Sequence, residues 1–106
     1  MKTGAIVVTG LNRITHSVVD VPEPGRGEVL VRAAYSCVSP GTEVRCLSVE
    51  GEAGAFPYVP GYAMAGTVVS TGPDTDLEEG ARVFSGGTVR CSVATQWGAH
   101  LGHAVK

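Results

Sequence analysis

The sequence predicts a mainly β domain: a small sandwich or partly open barrel with one short helical turn and no Rossmann unit. Three observations predict it. Fifteen glycines and six prolines divide the 106 residues into segments mostly too short for an ordinary helix. The best-patterned segments alternate with a period of two rather than 3.6. No alternation of strands with helices of ten or more residues exists, and a dinucleotide-binding βαβ unit requires one.

The elements follow in order. Ile14–Val21 mixes β-branched and polar residues and is stopped by Pro22, Glu23, Pro24 and Gly25, a turn that feeds the next strand in a hairpin-like pair. Glu28–Ser36 is a strand with Val29, Val31, Ala33 and Tyr35 on one face and Leu30, Arg32 and Ala34 on a partly covered outer face. Thr42–Val49 is the one helical turn, and residues 51–60 are loop. Gly61–Gly72 is a long strand whose small residues Ala63, Ala65 and Gly66 let another backbone come close. Gly80 suits a turn with positive φ leading into Arg82, Val83 and Phe84, and a last strand runs over Ala99–Val105.

Composition narrows the function classes. Hydrophobic residues at 43% and charged residues at 17% describe a folding chain that is neither disordered nor strongly charged. The net charge of -2, with eight Lys and Arg scattered along the chain, offers no basic stripe, so neither nucleic acid nor a membrane is an expected partner. The apolar run Ala5–Val8 is too short for a signal sequence or a membrane span. Cys37, Cys46 and Cys91 are an odd number without motif spacing. Each reads as a buried or half-buried free thiol in a reducing, cytoplasmic setting.

Five motifs in sequence order carry a family resemblance. Residues 22–32, PEPGRGEVLVR, resemble the Pro/Gly turn and strand that open the medium-chain dehydrogenase/reductase superfamily. Residues 39–43, SPGTE, are similar to its first loop, and residues 57–72 to its P-x-x-P-G-H-E-x-x-G-x-V-x-x-x-G signature, with Pro57, Pro60, Gly61, Gly66, Val68 and Gly72 in place. Residues 80–83 resemble its GDRV turn, and 98–105 its GGYAEYVVV strand. The resemblance implies the GroES-like catalytic domain, an incomplete barrel here, without the nucleotide-binding domain. It implies NAD(P) for a full-length parent acting on a small-molecule substrate. None is expected bound by this chain, which should be inactive alone, and the ending at Lys106, at a predicted strand, reads as a piece of a longer protein.

Site residues follow from the same resemblance. Zinc-dependent members hold the metal with a cysteine of the first loop and the histidine of Gly-His-Glu. Those positions are Ser39 or Pro40 and Tyr62 here, with Ala63 beside the latter. Hydroxyl and phenol are not usual zinc ligands, and Cys91 alone cannot form a structural zinc lobe, so no zinc is expected. Thr42 matches the family hydroxyl that bonds substrate and passes a proton, or else caps the helical turn. Thr42 and Tyr62 are the candidate catalytic residues, although Tyr62 also reads as a ring filling vacated volume. Ser39 and Glu43 are candidate substrate-binding residues, and Arg45 is the candidate cofactor contact. His100 and His103, three apart on a predicted strand, would face opposite sides and read as structural.

Gly41, Thr42 and Glu43 are similar to the first loop of bacteriochlorophyllide dehydrogenases and threonine-dehydrogenase-like relatives. The alternative is a structural or interaction module like the co-chaperonin GroES, whose chain length is similar. Against it, no mobile Gly-rich loop with an apolar tripeptide lies between Val21 and Gly27. A homodimer is left open as an assembly.

Overall fold

A computed structural model describes all 106 residues. Strands β1 (Lys2–Gly10) and β2 (Arg13–Asp20) form a hairpin in which Ala5 faces Ser17 and Val7 faces Thr15. Its turn holds Asn12 at φ 57°, a left-handed conformation that asparagine tolerates better than most residues. The sequence reading paired the segment after Ile14 forward, across Pro22–Gly25; the structure pairs it backward onto β1. The run 21–28 includes two prolines without a donor N–H and crosses between sheets instead.

Strand β3 (Val29–Ser36) is central in the second sheet, between β5 (Met64–Thr71) and the short β8 (His103–Val105). With β6 (Arg82–Ser85) the order is β6-β5-β3-β8. The first sheet runs β2-β1-β4-β7, with β4 (Tyr58–Val59) and β7 (Ala94–Thr95). The sheets do not close into a barrel.

The expected two-faced alternation of β3 fails at both ends. The register with β5 shifts between Leu30 and Val31, and Val29, Leu30 and Val31 are all buried. A bulge turns consecutive side chains toward the core. A second shift lies between Ala33 and Tyr35, and Tyr35, expected on the inner face, is 79% exposed. The main core is built largely from valines of both sheets, among them Val7, Val19, Val31, Val68 and Val105, with Met64 and Leu101.

The helical turn is a nine-residue helix, α1 (Pro40–Ser48), which starts two residues earlier than expected. Pro40 takes the first helical position, where its missing N–H costs nothing. Cys46 and Leu47 pack with Val8, Ala53 and Tyr58, and that tertiary contact sustains a helix whose sequence signal is short. The Asn12 N–H reaches the Leu47 carbonyl at 2.8 Å, tying the hairpin turn to the helix end. The predicted loop 51–60 contains β4. The predicted strands at 61–72 and 99–105 contract to β5 and β8, with a single bridge between Ala5 and Leu101. Cys37 is exposed rather than buried, while Cys46 is buried and Cys91 intermediate; none forms a disulfide.

Two fixtures hold the turn between β2 and β3. A Cβ on Gly72 would lie 1.8 Å from the Gly25 carbonyl oxygen, so only glycine fits that crossing. Glu28 accepts from the Gly25 N–H at 2.7 Å and from Arg90 Nη2 at 2.7 Å, and Arg90 lowers its pKa from 4.5 to about 2.

Gly72→Ala is therefore expected to cost about 1–3 kcal/mol, as overpacking does. Thermal unfolding checks this, and an unchanged Tm would show that the crossing yields freely. Because the folded-state pKa of Glu28 is depressed, its contribution is present above about pH 4.5 and lost as pH falls toward 2. The stability gap between wild type and Glu28→Gln, read from urea midpoints, should shrink between pH 7 and pH 3; a constant gap would contradict the assignment.

Candidate functional site

Helix α1 separates two concavities. On one side is a polar cleft of about 540 Å³ lined by Ser39, Gly41, Thr42, Arg45, Cys46, Glu52, Gln96 and Trp97. Thr42, Arg45 and Cys46 share this side because residues three and four apart fall on one helix face. Ser39 is the N-cap, in extended conformation, and its hydroxyl makes no capping bond. That hydroxyl instead accepts from the Tyr62 phenol at 2.6 Å. Thr42 lies within the first turn and so is not the cap.

Tyr62 stands at the cleft rim, with its ring edge-on to Trp97 at a centroid distance of 5.5 Å and an interplanar angle of 78°. Both rings are nearly half exposed. The Trp97 backbone sits at φ 67°, uncommon for a bulky residue, and Gly98 follows at 70°. Strain of this kind persists only where surrounding structure enforces it. Arg45 pairs with Glu52 at 2.8 Å across the cleft wall, and this carboxylate raises the guanidinium pKa.

Glu43, one residue beyond Thr42, points the other way. One carboxylate oxygen accepts from the Ser39 backbone N–H, closing the helix start, and the other contacts His100 Nε2. His100 Nδ1 is 2.7 Å from the Ser36 hydroxyl. The His100 and Glu43 side chains are only 8% and 13% exposed. Gly61 permits this: at φ 95°, a Cβ there would stand 2.7 Å from His100 Nε2. Burial, with Cys46 and Glu43 nearby, raises the Tyr58 phenol pKa.

Ser36, Glu43 and His100 border the second concavity, an apolar one of about 570 Å³ whose walls include Ile6, Ile14, Val38, Val44 and Leu47. His103 bonds Thr3 Oγ1 at 3.1 Å, and burial lowers its pKa. No three His, Cys, Asp or Glu side chains converge.

Three of the five predicted site residues, Ser39, Thr42 and Arg45, thus line one cleft, Tyr62 touches its walls through Ser39 and Trp97, and Glu43 belongs to the buried His100 cluster. Sequence reasoning missed Trp97, Gln96 and Glu52 in the cleft, and gave Ser36 no role. Trp97–Gly98 was a readable signal, a lone tryptophan before glycine; nothing along the chain links His100 to Glu43.

The chain matches the family described as alcohol dehydrogenase GroES-like domain over residues 25–103. It is 35% identical over 103 residues to the 2-desacetyl-2-hydroxyethyl bacteriochlorophyllide A dehydrogenase of Cereibacter sphaeroides, covering 92% of this chain and 31% of that protein. The protein of the same name from Rhodobacter capsulatus is 36% identical over 89 residues, with 79% and 28% covered. The chain therefore spans about a third of the length of these relatives. An alcohol dehydrogenase superfamily protein from Novosphingobium aromaticivorans superposes with a TM-score of 0.78 at 28% identity over 97% of this chain and 31% of that one. The human synaptic vesicle membrane protein VAT-1 homolog-like protein reaches 0.80 at 22% over 100% and 33%, a likeness of fold. With the five motifs in order, the two-sheet architecture and a family match over most of its length, the chain belongs to the GroES-like domain family of the alcohol dehydrogenases, within the medium-chain dehydrogenase/reductase superfamily.

Proposed function

We propose that this chain is the substrate-side domain of a zinc-independent, NAD(P)-dependent alcohol-dehydrogenase-like oxidoreductase, inactive without a nucleotide-binding partner domain. The observation that carries the reading is the 2.6 Å bond between Tyr62 and Ser39 at the mouth of the cleft. These residues stand where the superfamily motifs place a histidine and, in one alignment of the first loop, a cysteine. Their donor set does not fit a zinc ion: a phenol and a hydroxyl are poor ligands for it, and they satisfy each other.

The same pair suits proton handling. A phenol donating to a hydroxyl can turn its bond toward a substrate oxygen and stabilise charge developing there. The Thr42 hydroxyl lines the same cleft and can donate or accept. Arg45, held along the cleft wall by Glu52, would offer its guanidinium to the cofactor's phosphates or ribose. NAD(P), when bound, supplies the hydride chemistry. Trp97 and Tyr62 give the substrate a hard aromatic edge. Relatives named as dehydrogenases of a hydroxyethyl bacteriochlorophyllide support an alcohol as the substrate of the parent protein. The scattered basic residues support a small molecule, rather than nucleic acid, as its partner.

Elemental analysis of the purified chain is expected to find no stoichiometric zinc; one equivalent would overturn the role given to Ser39 and Tyr62. Coding sequence downstream of Lys106 is expected to contain a Gly-rich βαβ unit, and a stop codon there would remove the dehydrogenase reading.

A further inference from the structure

The exposed Ser36 and the largely buried His100 and Glu43 side chains are not used by the cleft chemistry above. A buried carboxylate and imidazole are costly to desolvate, so a cluster that only anchored α1 could be replaced by apolar packing of similar volume. The arrangement instead has the serine–base and base–acid contacts of an activated nucleophile. The Ser36 hydroxyl lies 2.7 Å from His100 Nδ1, His100 Nε2 contacts Glu43, and Glu43 is in turn held by the Ser39 N–H. An ionised carboxylate only accepts, so in the neutral imidazole the proton sits on Nε2 and the Nδ1 lone pair faces the serine hydroxyl. This is the relation of serine, base and orienting acid in hydrolytic triads, with the two ring nitrogens exchanged.

The surroundings complete it. Ser36 is exposed, at the end of β3, and borders the 570 Å³ apolar cavity with Ile6, Ile14, Val38 and Val44. Along the chain from Ser36, the Cys37 N–H is taken by the Ala63 carbonyl and the Ser39 N–H by Glu43, whereas the Val38 N–H donates to no protein acceptor. That leaves one backbone donor without a protein partner two residues along the chain from the nucleophile.

We propose that Ser36, His100 and Glu43 form a second site, which hydrolyses esters of short apolar acids seated in this cavity. Ser36 Oγ bonds to the ester carbonyl carbon as its proton passes to His100 Nδ1. The carbon–alkoxy bond breaks, and the leaving alcohol takes that proton. Water then attacks the acyl-serine, giving a proton to Nδ1. The Oγ–carbon bond breaks, the proton returns to Ser36, and the carboxylic acid leaves. No electrons are exchanged, and the site is independent of the dehydrogenase reading.

The test is hydrolysis of p-nitrophenyl butyrate by the purified 106-residue chain with no nucleotide added, together with labelling by a fluorophosphonate. Wild type should hydrolyse the ester above buffer and carry the adduct on Ser36 by peptide mass spectrometry. Ser36→Ala, a change at an exposed position whose fold can be verified by circular dichroism, should lose the adduct and about 100-fold or more of the rate. Equal rates in wild type and Ser36→Ala, an adduct on any other residue instead, or the absence of either hydrolysis or labelling in wild type would each overturn the proposal.

Discussion

The contact on which both concavities depend is the Glu43 carboxylate, shared between the Ser39 backbone N–H and His100. It fixes the first turn of α1 against the segment that precedes β8. With the helix start held, Thr42 and Arg45 face the polar cleft, and Ser39 keeps its hydroxyl free for Tyr62. The helix then forms a wall common to both concavities, with Val44 and Leu47 on the apolar side. A nine-residue helix would be marginal by itself; here it is fastened at its start by Glu43, through its middle by Cys46, and at its end by the hairpin turn.

Such a buried pair is tolerated because its polar atoms are satisfied. No buried side-chain nitrogen or oxygen lacks a hydrogen-bond partner, which is the condition under which a low local dielectric strengthens a network rather than penalising it. Gly61 is part of the same arrangement, since any side chain there would displace the imidazole. The glycine of the Pro-Gly signature thus has a specific local task in this chain: it makes room for His100.

The same economy of space runs through the sheets. Gly66 lets β5 lie against β3, where a Cβ would come 2.2 Å from the Arg32 carbonyl oxygen, and the valine-rich core fills the remaining volume with side chains of restricted rotamers. Backbones brought this close leave little tolerance for sliding, and the cleft residues inherit their positions from that rigidity. Trp97, held in a left-handed conformation ahead of Gly98, is the one cleft wall supplied by a loop under local strain.

The sequence by itself determined the fold class, the strands around Val31, Val68 and Val83, the glycines that must stay small, and the family. These depend on local chemistry: period-two patterning, positive φ, and ordered motifs. It also singled out Ser39, Thr42 and Arg45, which the structure places along one cleft because they lie at the cap and on one face of a single short helix. Only the tertiary structure decided that β2 pairs back onto β1, that bulges turn Leu30 inward and leave Tyr35 outside, and that α1 extends to nine residues. It alone joined Glu43 to His100, residues 57 apart in the chain, and both to Ser36. No periodicity encodes that meeting: it arises where a helix start, a strand end and a loop are folded onto a glycine.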